Sequence, residues 1–303
     1  METSTPADRW PAQIKYIIGN EACERFSYYG MRSVLAGYIT AEVLKGGLGQ
    51  NADKATSIIH LFVSANYFMP LFGAWLSDKL IGRYHTILWV SLFYCAGHGV
   101  LACSDLFANV DGKLACLYAG LALIAFGSGG IKPCVSAFVG DQFRPDQSHL
   151  LQKAYGAFYW SINFGSFFSF LVIPWCKDAW GYSVAFGVPG ILMALATLVF
   201  WLGTPRYVRV PPSRESRSAG FFRVWFYALR ARQPGKPFWD AALGRFSRQE
   251  VDAAKSVLPI LFVFALVPAF WSLFDQTNST WVLQGKQMTP MKLGSLSLGA
   301  EQM

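Results

Sequence analysis

Apolar side chains dominate seven stretches of the chain, and short polar segments separate them. These apolar segments lie at residues 12–41, 57–77, 84–104, 114–138, 154–176, 183–203 and 254–283. A transmembrane helix needs about 20 predominantly apolar residues. Because each segment reaches that length, the pattern predicts an all-α, multi-pass membrane protein. The connection over residues 204–253 is much longer than the others.

Basic residues concentrate in alternate loops. The chain has 26 Lys and Arg against 18 Asp and Glu, and the excess follows the second, fourth and sixth segments. Cytoplasmic loops of membrane proteins are rich in Lys and Arg. The pattern therefore predicts that residues 1–11 form a cytoplasmic amino terminus. Those residues are polar and show no pattern of a cleavable signal peptide. We expect the protein to lie in the cell (inner) membrane.

The long connection and the end of the chain are expected to form three parts. Residues 204–253 are predicted to be a cytoplasmic linker. Within it, the aromatic and basic stretch 221–232 is too short to span and suits a helix on the inner membrane surface or beneath the bundle. A solvated basic loop is the alternative. Residues 254–283 are expected to form a seventh transmembrane helix, and residues 284–303 a polar tail.

Four charged residues lie within residues 21–32 of the first apolar segment: Glu21, Glu24, Arg25 and Arg32. Together with Tyr28 they step by three or four residues, so they fall on one side of a helix. A charge at the centre of a bilayer costs about 2.5–3.5 kcal/mol on insertion scales. We therefore expect the stripe to face a water-filled interior. Ionisable residues in such positions are typical of transport pathways.

Other kinds of site find little support in the sequence. The six cysteines form no CxxC pair, and the four histidines lack metal-ligand spacing. We therefore expect neither a disulfide framework nor a metal site. The sequence shows no Gly-x-Ser-x-Gly, His-Glu-x-x-His or phosphate-binding loop, which argues against an enzyme. Because the basic residues lie in loops rather than on one exposed face, no nucleic-acid partner is expected.

The loop between the second and third segments contains a spaced set of glycines and charges. Gly73, Asp78, Gly82 and Arg83 resemble the loop motif of the major facilitator superfamily. Glycines permit tight turns and close approach of helices. The resemblance implies a gating role for Asp78 and Arg83, which would latch the cytoplasmic face when it closes.

Four separated motifs are similar to those of the proton-dependent oligopeptide transporter (POT) family. They are Glu21-x-x-Glu24-Arg25-Phe26-x-Tyr28-Tyr29-Gly30, the stretch from Gly73 to Ile87, Phe158 to Ser166 and Phe270 to Gln276. The resemblance implies the six-helix amino-terminal bundle of a major facilitator protein over residues 12–203, followed by the linker and a seventh helix. It also implies proton-coupled symport of di- and tripeptides by alternating access. Protons would be the coupling ion, and no cofactor is expected.

The same resemblance assigns roles to single residues. It gives proton coupling to Glu21, Glu24, Arg25 and His60. It gives contacts with the peptide to seven residues: Tyr29, Arg32, Tyr67, Lys132, Tyr159, Asn163 and Trp271. Asp275 matches an outer-gate acid that would pair with Arg32. Arginine can bind a carboxylate bidentately, and tyrosine and asparagine can hydrogen-bond the remaining polar groups of a peptide.

The chain departs from the family in its number of spans. Family members have two six-helix halves, whereas this sequence predicts seven spans. We therefore interpret it as part of a transporter, with a second chain as one source of the carboxy-terminal half. Two alternatives stay open. One is a symporter of nitrate or another small anion, and the other is a non-transporting membrane fragment that assembles with or regulates a full-length relative.

Overall fold

The computed structural model describes residues 9–212, 220–232, 235, 237–293 and 296–300. These residues fall into two compact units. The first contains the residues up to Pro212 together with those from Asn278 onward, and the second contains the residues between them.

Six long helices build the first unit and cover the first six predicted segments. They are α1 (Ile14–Thr40), α2 (Ala52–Trp75), α3 (Gly82–Ala102), α4 (Val110–Asp141), α5 (Leu151–Trp180) and α6 (Tyr182–Leu202). The helix α1 packs against α5 and α6, α3 packs against α4 and α6, and α2 packs against α4. Met31, Tyr94 and Phe138 are fully buried among them. The arrangement confirms the predicted all-α bundle.

Five segments of the described chain are long and apolar enough, by length and composition, to cross a membrane. They are Ala52–Leu106, Val110–Asp141, Pro145–Trp180, Tyr182–Arg206 and Arg248–Gly285. The first of these contains both α2 and α3, which the π-helical turn Leu76–Ile81 joins. The helix α1 has 27 residues and is long enough to cross a membrane. Its charged stripe makes it too polar to be counted among these five segments. The packing of α1 against α5 and α6 makes it part of the same bundle.

The chain that follows α6 folds back onto the end of the bundle. Tyr207 is buried there, with its ring 5.0 Å from that of Phe200 and 5.1 Å from that of Phe138. Burial raises the pKa of the Tyr207 phenol above its usual value. The Gln142 side chain donates to the Val208 carbonyl at 3.0 Å and accepts from the Val208 amide at 2.9 Å. The compact unit therefore continues past the predicted boundary at residue 203.

The second unit contains α7 (Phe221–Arg230), a 3₁₀ turn (Phe238–Gly244), α8 (Arg248–Phe264) and α9 (Val267–Phe274). A small apolar core joins α7, the turn and the start of α8. Its members are Val224, Ala228, Ala242, Phe246, Val251 and Ala254. A capping box between Ser247 and Glu250 begins α8. The predicted amphipathic stretch is therefore helical and packs on one side against the rest of this unit.

The seventh segment differs from the single helix that its hydropathy suggests. It consists of α8, α9, a 3₁₀ turn at Asp275–Asn278 and α10 (Thr280–Gly285). Pro268 lies in the first turn of α9. Because proline has no amide hydrogen and its ring blocks the preceding turn, the helix breaks before it. The polar tail contains a two-stranded antiparallel hairpin, β1 (Met291–Leu293) and β2 (Leu296–Leu298), which the sequence pattern did not predict.

Glycines set how closely the helices of the bundle approach. A Cβ atom on Gly73 of α2 would overlap the carbonyl oxygen of Gly130 on α4, and one on Gly127 would overlap Tyr94 of α3. At both glycines the helix backbone therefore lies directly against the neighbouring helix. Small residues serve the same purpose in other membrane helix pairs.

We predict that Gly73→Ala destabilises the bundle, because α2 and α4 must separate to admit one methyl group. Overpacking of this kind costs about 1–3 kcal/mol. Gly156→Ala in α5 is the matched control, because nothing lies within 4 Å of its added Cβ. Since alanine favours helix by about 1 kcal/mol over glycine, the control should be neutral or stabilising. Thermal unfolding followed by size exclusion in detergent measures both variants. Equal melting temperatures would contradict the predicted close approach.

Candidate functional site

A buried arginine held by two acids lies at the centre of α1. Arg25 Nε is 3.1 Å from Glu21 Oε1 and also contacts Glu24 Oε2. All three side chains are more than nine-tenths buried. The spacing of three and four residues brings both carboxylates to the same guanidinium. Two acids therefore share one arginine.

The two carboxylates have different surroundings. Glu24 is almost completely buried and accepts a 3.4 Å hydrogen bond from Ser128 of α4. Glu21 and Arg25 line a cavity of about 210 Å³ together with Lys132. The remaining lining comes from α4 and α5: Ile131, Val135, Ser136, Phe158 and Ile162. Glu21 is therefore the acid that meets the cavity, and Glu24 lies behind it.

The ring of Tyr28 separates two buried arginines. The guanidinium carbons of Arg25 and Arg32 each lie 5.6 Å from its centre. At this distance the ring face attracts each cation. The Tyr28 hydroxyl accepts a 2.7 Å hydrogen bond from Asn66 of α2. The sequence stripe thus forms one buried polar layer that extends from Glu21 to Arg32.

Four of the predicted peptide-contact residues are exposed in the bundle. Lys132 lies with its Nζ 4.9 Å from the ring centre of Tyr67, and both are exposed. Tyr159 and Asn163 are exposed on α5, where the Asn163 amide donates to the Tyr159 carbonyl at 2.9 Å. Tyr29 is half-buried, with its ring 5.4 Å from that of Tyr28. Their roles with a peptide stay predictions.

His60 meets a residue from the seventh segment. Its Nε2 lies 3.3 Å from the Ser279 hydroxyl, so α2 contacts the chain just before α10. Trp271 and Asp275 belong to the second unit. There the Trp271 ring lies 5.4 Å from those of Phe270 and Phe274. The expected pairing of Asp275 with Arg32 stays a prediction.

The predicted gating residues form an ion-pair cluster between helix ends. Arg83, the second residue of α3, donates to both carboxylate oxygens of Asp141 at 2.6 and 2.7 Å. Asp78 lies 3.9 Å from the same guanidinium. Asp141, the last residue of α4, lies outside the loop motif that identified Asp78 and Arg83.

Four residues join the candidate site that the motif comparison did not assign: Tyr28, Asn66, Ser128 and Asp141. Asn66 and Ser128 are polar residues inside apolar segments, a signal that could have identified them. Asp141 is an acid at the end of a predicted span and gives a weaker signal. Among the described residues, no group of three or more His, Cys, Asp or Glu side chains could hold a metal ion.

Comparison with known proteins identifies the family. The family model described as "POT family" matches residues 84–303, which is more than half of the chain. The chain belongs to the POT family.

The sequence is similar to named members of this family. It is 36% identical to "Peptide transporter 3" of Caenorhabditis elegans over 97% of this chain and 43% of that protein. It is 37% identical to "Solute carrier family 15 member 2" of Homo sapiens over 97% of this chain and 42% of that protein. The chain therefore spans under half the length of the curated POT relatives it matches.

Solved structures of POT proteins share the fold. The crystal structure of the POT family transporter PepTSo superposes with a TM-score of 0.84 at 38% identity. The match covers 97% of this chain and 66% of that structure. The expected architecture, the amino-terminal helix bundle of a major facilitator protein with the seventh segment following it, is confirmed.

We predict that Asp141→Asn destabilises the contact between α3 and α4 by about 1.5–3 kcal/mol, the usual contribution of a hydrogen bond to a charged group. Asp146→Asn is the matched control, because it removes an Arg–Asp pair of similar geometry that is exposed and local. Exposed pairs contribute little, so the control should unfold at the wild-type temperature. Thermal unfolding in detergent measures both. An Asp141→Asn variant that unfolds at the wild-type temperature would contradict the structural role of the pair.

Proposed function

We propose that this chain forms the proton-coupling, amino-terminal part of a symporter of di- and tripeptides. The observation that carries the proposal is the arginine shared by two buried acids beside a cavity that Lys132 also lines. The names of its relatives as peptide transporters support the substrate class. The proposed role is transport rather than catalysis, with protons as the coupling ion and no other cofactor.

The proposed coupling follows from the count of charges. Glu21 and Glu24 compete for Arg25, so a proton on either acid leaves the guanidinium paired with the other. Protonation therefore removes one buried negative charge without exposing the arginine unpaired, which would be costly in a low-dielectric interior. Loss of the proton restores the three-way ion pair. The cluster can thus exist in two charge states at modest cost.

The proposed substrate contact uses the cations beside this cluster. Every peptide has a carboxylate whatever its side chains are, and Lys132 lies at the cavity where an anion would balance its charge. Tyr67, Tyr159 and Asn163 are exposed with it and offer hydroxyl and amide groups. We further propose that a carboxy-terminal half, supplied in the full transporter or by a second chain, covers this face.

Uptake of a labelled dipeptide by the chain in liposomes tests the proposal. An inward proton gradient should drive accumulation, and Glu24→Gln should reduce it to the level of empty liposomes. Glu42→Gln is the matched control, since Glu42 is exposed and pairs only locally with Lys45. Exchange of internal for external peptide requires no net proton movement, so Glu24→Gln should retain it. Uptake that is the same with and without the proton gradient would refute proton coupling.

Two outcomes would favour the alternative functions. Correctly inserted wild-type chain without any uptake would reject transport by this chain. It would then favour a non-transporting fragment that assembles with a full-length relative, as its length relative to those proteins permits. Uptake that excess nitrate inhibits and excess dipeptide does not would favour a small-anion symporter.

We also propose that the amino terminus lies in the cytoplasm, because the basic loops alternate as expected for that orientation. The carboxy-terminal end of α3 then lies outside. Cys103 follows α3 directly and is exposed, whereas the five other cysteines are buried or half-buried. A membrane-impermeant maleimide should therefore label wild-type chain in right-side-out vesicles, and Cys103→Ser should abolish that labelling. Labelling only after the vesicles are opened would reverse the proposed orientation.

A further inference from the structure

The helix α7 has apolar side chains on two sides. On one side Val224 and Ala228 are fully buried in the core of the second unit. On the other side Phe222, Phe226 and Leu229 are 69%, 55% and 47% exposed. A helix at the surface of a soluble domain usually has one apolar face and one polar face. The helix α7 instead has one buried and one exposed apolar face.

The three exposed side chains form a continuous strip. At 3.6 residues per turn, Leu229, Phe222 and Phe226 lie within an arc of about 60° on the helix. The rings of Phe222 and Phe226 are 6.5 Å apart, and the ring of Trp225 is 5.0 Å from that of Phe226. The strip is therefore an aromatic surface rather than a set of isolated exposed residues.

Arginines border this strip on one side. Arg230 and Arg223 lie about 40° and 60° beyond Phe226 around the helix, and both are exposed. Residues 220–254 contain six Lys and Arg against three Asp and Glu. An apolar strip beside basic residues is typical of helices that lie in the membrane interface. The positive charge favours a surface of anionic headgroups.

The length of α7 excludes a spanning role. Its 10 residues extend for about 15 Å, which is half the thickness of a hydrocarbon core. We propose that α7 lies in the plane of an anionic membrane surface. The strip Phe222, Phe226 and Leu229 inserts beneath the headgroups, and Arg223 and Arg230 bind phosphates of anionic phospholipid. The lipid contact of α7 would form whether or not the chain transports peptides.

Spin labels on the full chain in lipid nanodiscs test the proposal. Each label is attached to Phe226→Cys or to Arg223→Cys, in a background whose six cysteines are replaced by alanine and whose size-exclusion profile matches the wild type. In phosphatidylglycerol nanodiscs the label at 226 should collide mainly with oxygen, which concentrates in lipid. The label at 223, a quarter turn from the middle of the strip, should collide more with aqueous nickel chelate.

Lipid charge provides the second comparison. An arginine near an anionic surface shifts the equilibrium toward insertion by about fivefold. Arg223→Gln with Arg230→Gln should therefore reduce the lipid exposure of the label at 226, and phosphatidylcholine should do the same. A label at 226 that meets nickel chelate freely would overturn the proposal in favour of a solvated face. A label that meets neither reagent would overturn it in favour of protein cover, including a second copy. Equal insertion in both lipids would overturn the anionic preference.

Discussion

The burial of Arg25 is the constraint on which the centre of the bundle depends. A guanidinium keeps its charge at any physiological pH, so anions must compensate it wherever water is removed. Glu21 and Glu24 supply them from the same helix. Ser128 of α4 then satisfies the deeper acid. Because Ser128 lies between two glycines that contact neighbouring helices, backbone packing fixes the position of its hydroxyl. The glycine-based packing of α4 and the charge compensation of α1 therefore depend on each other.

The pair between Arg83 and Asp141 follows the same physical rule with a different consequence. Arg83 lies at the start of α3 and Asp141 at the end of α4, so each charge occupies the helix end that the helix dipole disfavours. The ion pair offsets both of these unfavourable charge–dipole interactions. This pair joins two helices near solvent and can separate without moving a charge into lipid. The Arg25 cluster lies within one helix and is buried. The Arg83–Asp141 pair suits a reversible latch. The Arg25 cluster suits a site whose charge changes without movement of its helix.

Local periodicity predicted the helices and the charged stripe, because both depend on neighbours along one helix. Contacts between residues on different helices were harder to predict from the sequence. Asp141 is 58 residues from Arg83, and Asn66 reaches Tyr28 across a helix crossing that hydropathy does not encode. The break before Pro268 was visible in the sequence, but the apolar run across it was stronger than the signal of one proline. The exposed strip of α7 became evident only when its opposite face was seen to be buried.

The exposed polar residues of the bundle add a second physical argument for the proposed function. Lys132, Tyr159 and Asn163 would be costly neighbours for lipid chains, because a bilayer core offers no partner for an ammonium or an amide. Water or protein must therefore cover them. The curated relatives are more than twice as long as this chain, and a second half packed against this face would enclose the cavity beside Glu21. Glu21, which lines the cavity, would then contact whatever the cavity binds. Coupling between proton and substrate would thus require only that both compete for the same few buried charges.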